Sequence, residues 1–185
     1  MVLVDLGLDF STPTGIAVRI IGFVALITFC SSFQVKNRRL LIILQTISFT
    51  CFGVQYLLTG AYTGLILEAV CIGRNLLFYF KGNNKFLNSI FVPIIFGVSA
   101  IVIGICTFDG WPSLLPAFAT VVQSFALYAK KEEHSRLLFL VGSPMWLVYN
   151  IFSNLLFPVI TECINMVSII ISVIRFYIKA KKEAK

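Results

Sequence analysis

Basic residues fall in every second gap between the long apolar stretches of this chain, and that rhythm limits what it can fold into. Lys36, Arg38 and Arg39 form the first cluster, Lys81 and Lys85 the second, Lys130, Lys131 and Arg136 the third, and Lys179, Lys181, Lys182 and Lys185 the last. The gaps between these clusters hold no Lys or Arg. Because Lys and Arg are retained on the cytoplasmic side of a membrane, the alternation reads as a topology. It predicts seven crossings, with the acidic start (Asp5, Asp9) outside and the Lys-rich tail in the cytoplasm. Apolar runs between turn residues put the spans at 15–33, 40–58, 63–80, 90–108, 111–129, 135–152 and 155–178. Backbone polar groups in lipid need internal partners, and these runs lack the two-residue alternation of a membrane barrel, so helices are the candidate. The expected fold class is therefore all-α, a polytopic membrane protein.

Composition agrees. A chain of 185 residues that is 58% hydrophobic and 12% charged has too little polar surface to cover a soluble globule. Each crossing takes about 20 residues, which leaves short loops, a 1–14 segment outside and a 179–185 basic tail inside. The net charge of +7 sits at the inner membrane edges instead of on one basic face with interleaved aromatics, so the bilayer, not nucleic acid, is the expected partner. The first fourteen residues lack a positive n-region, so the first span is expected to stay in the mature protein. Five cysteines lie one per span in five spans, without a CxxC pair, and the single histidine, His134, is in a charged loop. No metal site or cofactor is expected from that pattern.

Two halves of the chain resemble each other. Ser32-Phe33 precedes the first basic loop as Ser124-Phe125 precedes the third, and Gln55-Tyr56-Leu57-Leu58-Thr59 lies against Tyr149-Asn150-Ile151-Phe152-Ser153 at an offset of 94 that also sets Glu68 on Glu162. The predicted plan is a three-helix unit over 15–80, an inner loop and linker helix over 81–108, and a second three-helix unit over 109–178. One linker span gives both units the same orientation, a parallel repeat about an axis along the membrane normal.

This 3+1+3 plan resembles the SWEET sugar transporters and their half-size bacterial relatives, and also the PnuC-type nicotinamide riboside transporters. The stretches Arg38-Arg39-Leu40-Leu41, Gly60-Ala61-Tyr62, Trp146-Leu147-Val148-Tyr149-Asn150 and Glu162 through Ile174-Arg175-Phe176-Tyr177 are similar to the YgjV-type bacterial inner-membrane proteins over nearly the full length. That resemblance implies a multi-pass protein of the bacterial inner membrane. The Pro-Gln signatures of the PQ-loop carriers are missing, and prolines fall within the second unit (Pro116, Pro144) but not in the aligned part of the first.

Polar side chains inside the spans are the candidate site. A charge in hydrocarbon costs about 2.5–3.5 kcal/mol on insertion scales, so Glu68 and Glu162 demand a reason. Glu68, Cys71 and Asn75 fall at i, i+3 and i+7, and Glu162 and Asn165 at i and i+3, so each set forms a stripe on one helix face. If the units pack about a twofold, these stripes face each other across a cavity. Gln55 on span two and Asn150 on span six would line its sides, with Trp146 and Tyr149 as aromatic walls. Arg74 is a candidate charge partner for a carboxylate or an anionic solute, Arg175 a snorkelling residue, and Pro144 and Pro116 are candidate hinges. The function this suggests is a carrier for a small polar solute, working by alternating access or linked to protons. A non-transporting scaffold or regulator is the alternative, in which the same polar groups only hold helices together. An enzyme is not expected, since the sequence offers no His-based dyad, phosphate loop or metal cluster. Nothing in the sequence bars an oligomer.

Overall fold

A computed structural model describes residues 12–32, 35, 37–80, 87, 89–129 and 132–183. Asp5, Asp9, Lys36, Lys81, Lys85, Lys130, Lys131 and Lys185, from which much of the predicted topology was drawn, lie outside the described residues, as do the side chains of Arg38, Arg175 and the residues after it. The described chain is all-helical and contains no strand. Its seven α-helices are α1 (Pro13–Ser32), α2 (Arg38–Thr59), α3 (Tyr62–Tyr79), α4 (Phe91–Cys106), α5 (Leu114–Tyr128), α6 (Glu132–Phe152) and α7 (Leu156–Glu183), with one 3-10 turn, Trp111–Ser113, ahead of α5.

Four of these helices have stretches long and apolar enough to cross a membrane: Pro13–Ser32, Arg39–Thr59, His134–Phe152 and Leu156–Ile174. The other three fall short for identifiable reasons. Helix α4 is apolar but has 16 residues, α5 has 15, and α3 packs Glu68, Arg74 and Asn75 into 18. Large apolar side chains such as Ile20, Phe91, Val98, Ile105 and Val167 are exposed on the outside, where a soluble protein would carry charge.

The ends of the helices follow from local chemistry. Asn37 caps α2 by accepting a hydrogen bond from the Arg39 N–H at 2.9 Å. Helix α2 stops at Gly60, which adopts φ +75, so that the Gly60 N–H donates to Leu57 O and the Ala61 N–H to Tyr56 O. Helix α6 ends the same way 94 residues on. Asn154 takes φ +55, its N–H donates to Ile151 O, and the Leu155 N–H donates to Asn150 O. These two turns are tight, and each folds the following helix back antiparallel to the one before it.

Packing repeats at the same interval. Helix α1 lies on α2, α2 on α3, α5 on α6 and α6 on α7, and the ring closes where α1 meets α7 and where α3 meets α5, with α4 packed outside α5 and α3. The Ser48 hydroxyl donates to Ala25 O at 2.9 Å where α2 crosses α1. Gly142, 94 residues after Ser48, approaches Ala119, 94 after Ala25, so closely that a Cβ there would lie 3.4 Å from Ala119 O. Ala25 and Ala119 are both fully buried, as are Ser32 and Ala126. At the interval of 94 the position matching Ser32 is Ala126, and Ser124, two residues earlier, is buried as well.

Candidate functional site

A cavity of about 510 Å³ runs through the middle of the ring. Its walls pair up at the interval of 94: Phe52 with Trp146, Tyr56 with Asn150, and Glu68 with Glu162. It reaches from the C-terminal halves of α2 and α6 down to Leu41, Ser135 and Arg136 in their first turns. From Leu41 to Tyr56 along α2 the helical rise makes this about 22 Å.

One end is plugged. Tyr56 is buried and its hydroxyl donates to Asn150 Oδ1 at 2.5 Å, joining two residues 94 apart in the chain. A residue and its repeat counterpart can touch only near an axis relating them. Beside this pair the Tyr149 hydroxyl accepts from the Gly64 N–H at 2.9 Å, satisfying a donor that the first turn of α3 would otherwise leave orphaned. Tyr56 stacks near Tyr149 and Trp146 with ring centroids 5.9 and 6.4 Å apart. Gly64 makes this possible, since a Cβ there would come 2.8 Å from Tyr56 and 2.9 Å from Tyr149. Next to the plug, the Thr63 hydroxyl donates to Thr107 O at 2.9 Å, tying the start of α3 to the end of α4.

Below the plug are the ionisable groups. Glu68 is 6% exposed, and its Oε2 is buried without a hydrogen-bond partner. Glu162 is half-buried, its Oε2 likewise has no partner, and Ser143 and Asn165 are its hydrogen-bonding neighbours. The two carboxyl groups line the same cavity within range of each other's charge, and Glu68 is also within range of the charge on Arg74. Arg74 is 3% exposed and lines the same cavity, about 9 Å farther along α3 than Glu68. Its hydrogen bond among the described residues is to Ser124 Oγ at 3.5 Å, and its Nε has none. Asn75 is buried on the same wall with Nδ2 unpartnered.

Most residues expected to line a cavity are on it: Glu68, Asn75, Glu162, Asn165, Asn150, Trp146 and Arg74. Gln55 is not. It is 1% exposed and turned the other way, donating through Nε2 to Val18 O at 2.6 Å, so it ties α2 to α1. Its neighbour Tyr56 takes the cavity position. Residues i and i+1 point about 100° apart on a helix, and a polarity count favours Gln over Tyr at that choice. Sequence reasoning also passed over Phe52 and Gln123. Gln123 is 94 residues after Phe29, also on the wall, and that offset could have found it.

The proline expectations divide. Pro116 is the third residue of α5 and buried, in a first turn whose N–H groups have no intrahelical acceptor. It removes no helical bond, so it is not a hinge inside a helix. Pro144 does lie within α6, which continues unbroken from Glu132 to Phe152, and it is exposed on the outer face.

An all-helical ring with a lipid-compatible exterior and a polar, partly ionisable interior defines a class: integral membrane proteins with an internal polar site. The family model described as Imp-YgjV, bacterial inner membrane protein, matches residues 16–180, and the chain belongs to that family. No curated protein and no solved structure matched the chain.

Proposed function

We propose that the chain is a carrier for a small polar solute across the bacterial inner membrane, and not an enzyme. The observation that carries this reading is a central cavity whose wall residues pair at an interval of 94, with buried, unpartnered carboxyl oxygens from Glu68 and Glu162 meeting across it. Buried polar groups without partners are costly in a membrane protein and mark solute or ion pathways by default. Solute sites of two-unit transporters lie between the repeats near mid-membrane.

In this reading all seven helices cross the bilayer as a 3+1+3 repeat. Helices α1 to α3 form one unit, α5 to α7 the other, and α4 links them. Exchanging the units converts the α1–α7 contact into the α5–α3 contact and leaves the remaining intra-unit pairings unchanged, as a twofold along the membrane normal requires. This arrangement resembles that of the SWEET and PnuC-type carriers. By the positive-inside rule, the end of the cavity at Leu41, Ser135 and Arg136 faces the cytoplasm and the Tyr56–Asn150 plug faces out. The state described is then inward-facing. Outward opening breaks the Tyr56–Asn150 bond as the two units rock apart at that end.

The test is uptake by purified protein in liposomes, screened against sugars, nucleosides, vitamins and amines with and without a pH gradient. At least one solute should be taken up faster than in protein-free vesicles, and Glu68→Gln and Glu162→Gln should each lower that uptake. A folded protein that moves none of them, with both variants equal to wild type in solute response, would leave a structural scaffold as the better reading.

A further inference from the structure

We infer that the cavity is built for a zwitterion whose ammonium and carboxylate groups sit at opposite ends of a short chain, an ω-amino acid in chemical class. The inference deepens the carrier reading and rests on it only in taking the cavity as a solute site.

The protein keeps two sets of charged groups apart in this cavity. Charges inside a membrane protein ordinarily neutralise one another, because an unpaired one is expensive. Here Glu68 and Arg74 are on the same helix and line the same cavity, and they act on each other only through space, with no hydrogen bond joining them. Six residues of helix put them about 9 Å apart along the axis. Glu162 comes to the Glu68 end from α7, so the acidic pole holds two carboxyl groups. The other pole holds the Arg74 guanidinium, whose Nε is buried and unbonded, and the Asn75 amide, whose Nδ2 is likewise without an acceptor.

Glu68 Oε2 and Glu162 Oε2 thus lack donors at one end, and Arg74 Nε and Asn75 Nδ2 lack acceptors at the other. One ligand with an ammonium at the first end and a carboxylate at the second would supply both. An ammonium has three donors, enough to serve both carboxyl groups, while a carboxylate can take hydrogen bonds from guanidinium and amide together. Apolar and aromatic side chains, among them Phe49, Cys71 and Phe139, also line the cavity, which suits a methylene chain. An α-amino acid, with both charges on one carbon, cannot reach both poles at once. A sugar would leave both sets of charges unsatisfied.

The experiment measures ligand-dependent thermal stabilisation of the detergent-purified wild-type protein, together with counterflow of the same compounds in liposomes. The probes are glycine, 4-aminobutyrate, 6-aminohexanoate, butylamine, butyrate and glucose. The end-separated amino acids should stabilise at concentrations at least about tenfold below those needed for butylamine, butyrate or glycine, a difference of about 1.4 kcal/mol. Glucose should do nothing. In Arg74→Gln, 4-aminobutyrate and butylamine should become equivalent, since the pole that distinguishes them is gone. The wild-type panel decides the matter even if that variant fails to fold. Stabilisation by glucose or by butylamine as strong as by 4-aminobutyrate would overturn the inference. Glucose flux without zwitterion preference would leave the carrier standing and sink the zwitterion. Tight zwitterion binding without flux would do the reverse.

Discussion

Helices α3 and α7 occupy matching places in the two halves, and they treat the same problem differently. Gly64, Leu67, Glu68, Cys71 and Arg74 of α3 are all buried, because α4 and α5 lie against that helix. The positions 94 residues on, Pro158, Thr161, Glu162, Asn165 and Ser168, grade from buried to half-buried to exposed. Among the described residues, helix α4 has no counterpart beside α7. The enclosed helix carries the cation and the open one carries a serine in its place: on α3 the guanidinium is packed against Ser124, whereas Ser168 lines the same cavity from an exposed position. The residue that meets the Arg74 guanidinium is on α5, in the other unit, so the contact between α3 and α5 helps make this helix a place where a buried charge can be kept.

The largest expected break in this comparison is at Gly64. Leucine there would drive side-chain atoms into Tyr56 and Tyr149, lose the close approach of α3 to the plug, and cost about 3 kcal/mol or more. Pro158→Ala at the matching position of α7 keeps a Cβ and relieves no clash, so its effect should stay within about 1 kcal/mol. Reversible unfolding in detergent reads both, and equal losses would mean that the halves are packed alike after all.

Arg74 sharpens the comparison by its sign. If the buried guanidinium is held for a solute, Arg74→Leu should raise the unfolding free energy by about 2 kcal/mol, since an intramembrane cation is a cost, while removing the extra stabilisation by 4-aminobutyrate over butylamine. Ser168→Leu should change neither by more than about 0.5 kcal/mol. A loss of stability in Arg74→Leu would instead make Arg74 the structural counter-ion of the Glu68 end.

At the plug the two halves meet, and the effect there is smaller. Tyr56→Phe and Asn150→Leu each remove one end of the 2.5 Å hydrogen bond. A double-mutant cycle in unfolding free energy should return a coupling of about 0.6–2 kcal/mol. Zero coupling would mean that the bond does not help close this end.

Much of this was legible beforehand. Helix positions followed from apolar runs and turn residues, because lipid leaves the backbone no other choice. The offset of 94 was readable from Tyr56, Asn150 and the two glutamates, and it predicts which cavity walls face each other. Two things were not. Gln55 and Tyr56 are adjacent, and which of them faces α1 depends on how far α2 is rotated, a quantity tied to the close approach at Gly22 of α1, where a Cβ would run into Gln55 Nε2. Pro116 was misjudged because a proline's consequence depends on its distance from the helix start, and that boundary was set three residues too early, at the 3-10 turn.

The smallest effect belongs to Pro144, whose counterpart 94 residues earlier is Thr50 in the equally unbroken α2. Both positions face outward, so neither touches the cavity or the plug. The difference is in the backbone: Thr50 supplies an N–H to its helix, and Pro144 cannot. Pro144→Ala restores that donor and should stabilise the protein by up to about 1 kcal/mol without altering solute-dependent stabilisation. If α6 bends at Pro144 when the units rock, the stiffer helix should slow liposome uptake several-fold while leaving binding intact. Unchanged uptake in Pro144→Ala would move the hinge to the tight turns at Gly60 and Asn154, the two places where the halves are built alike.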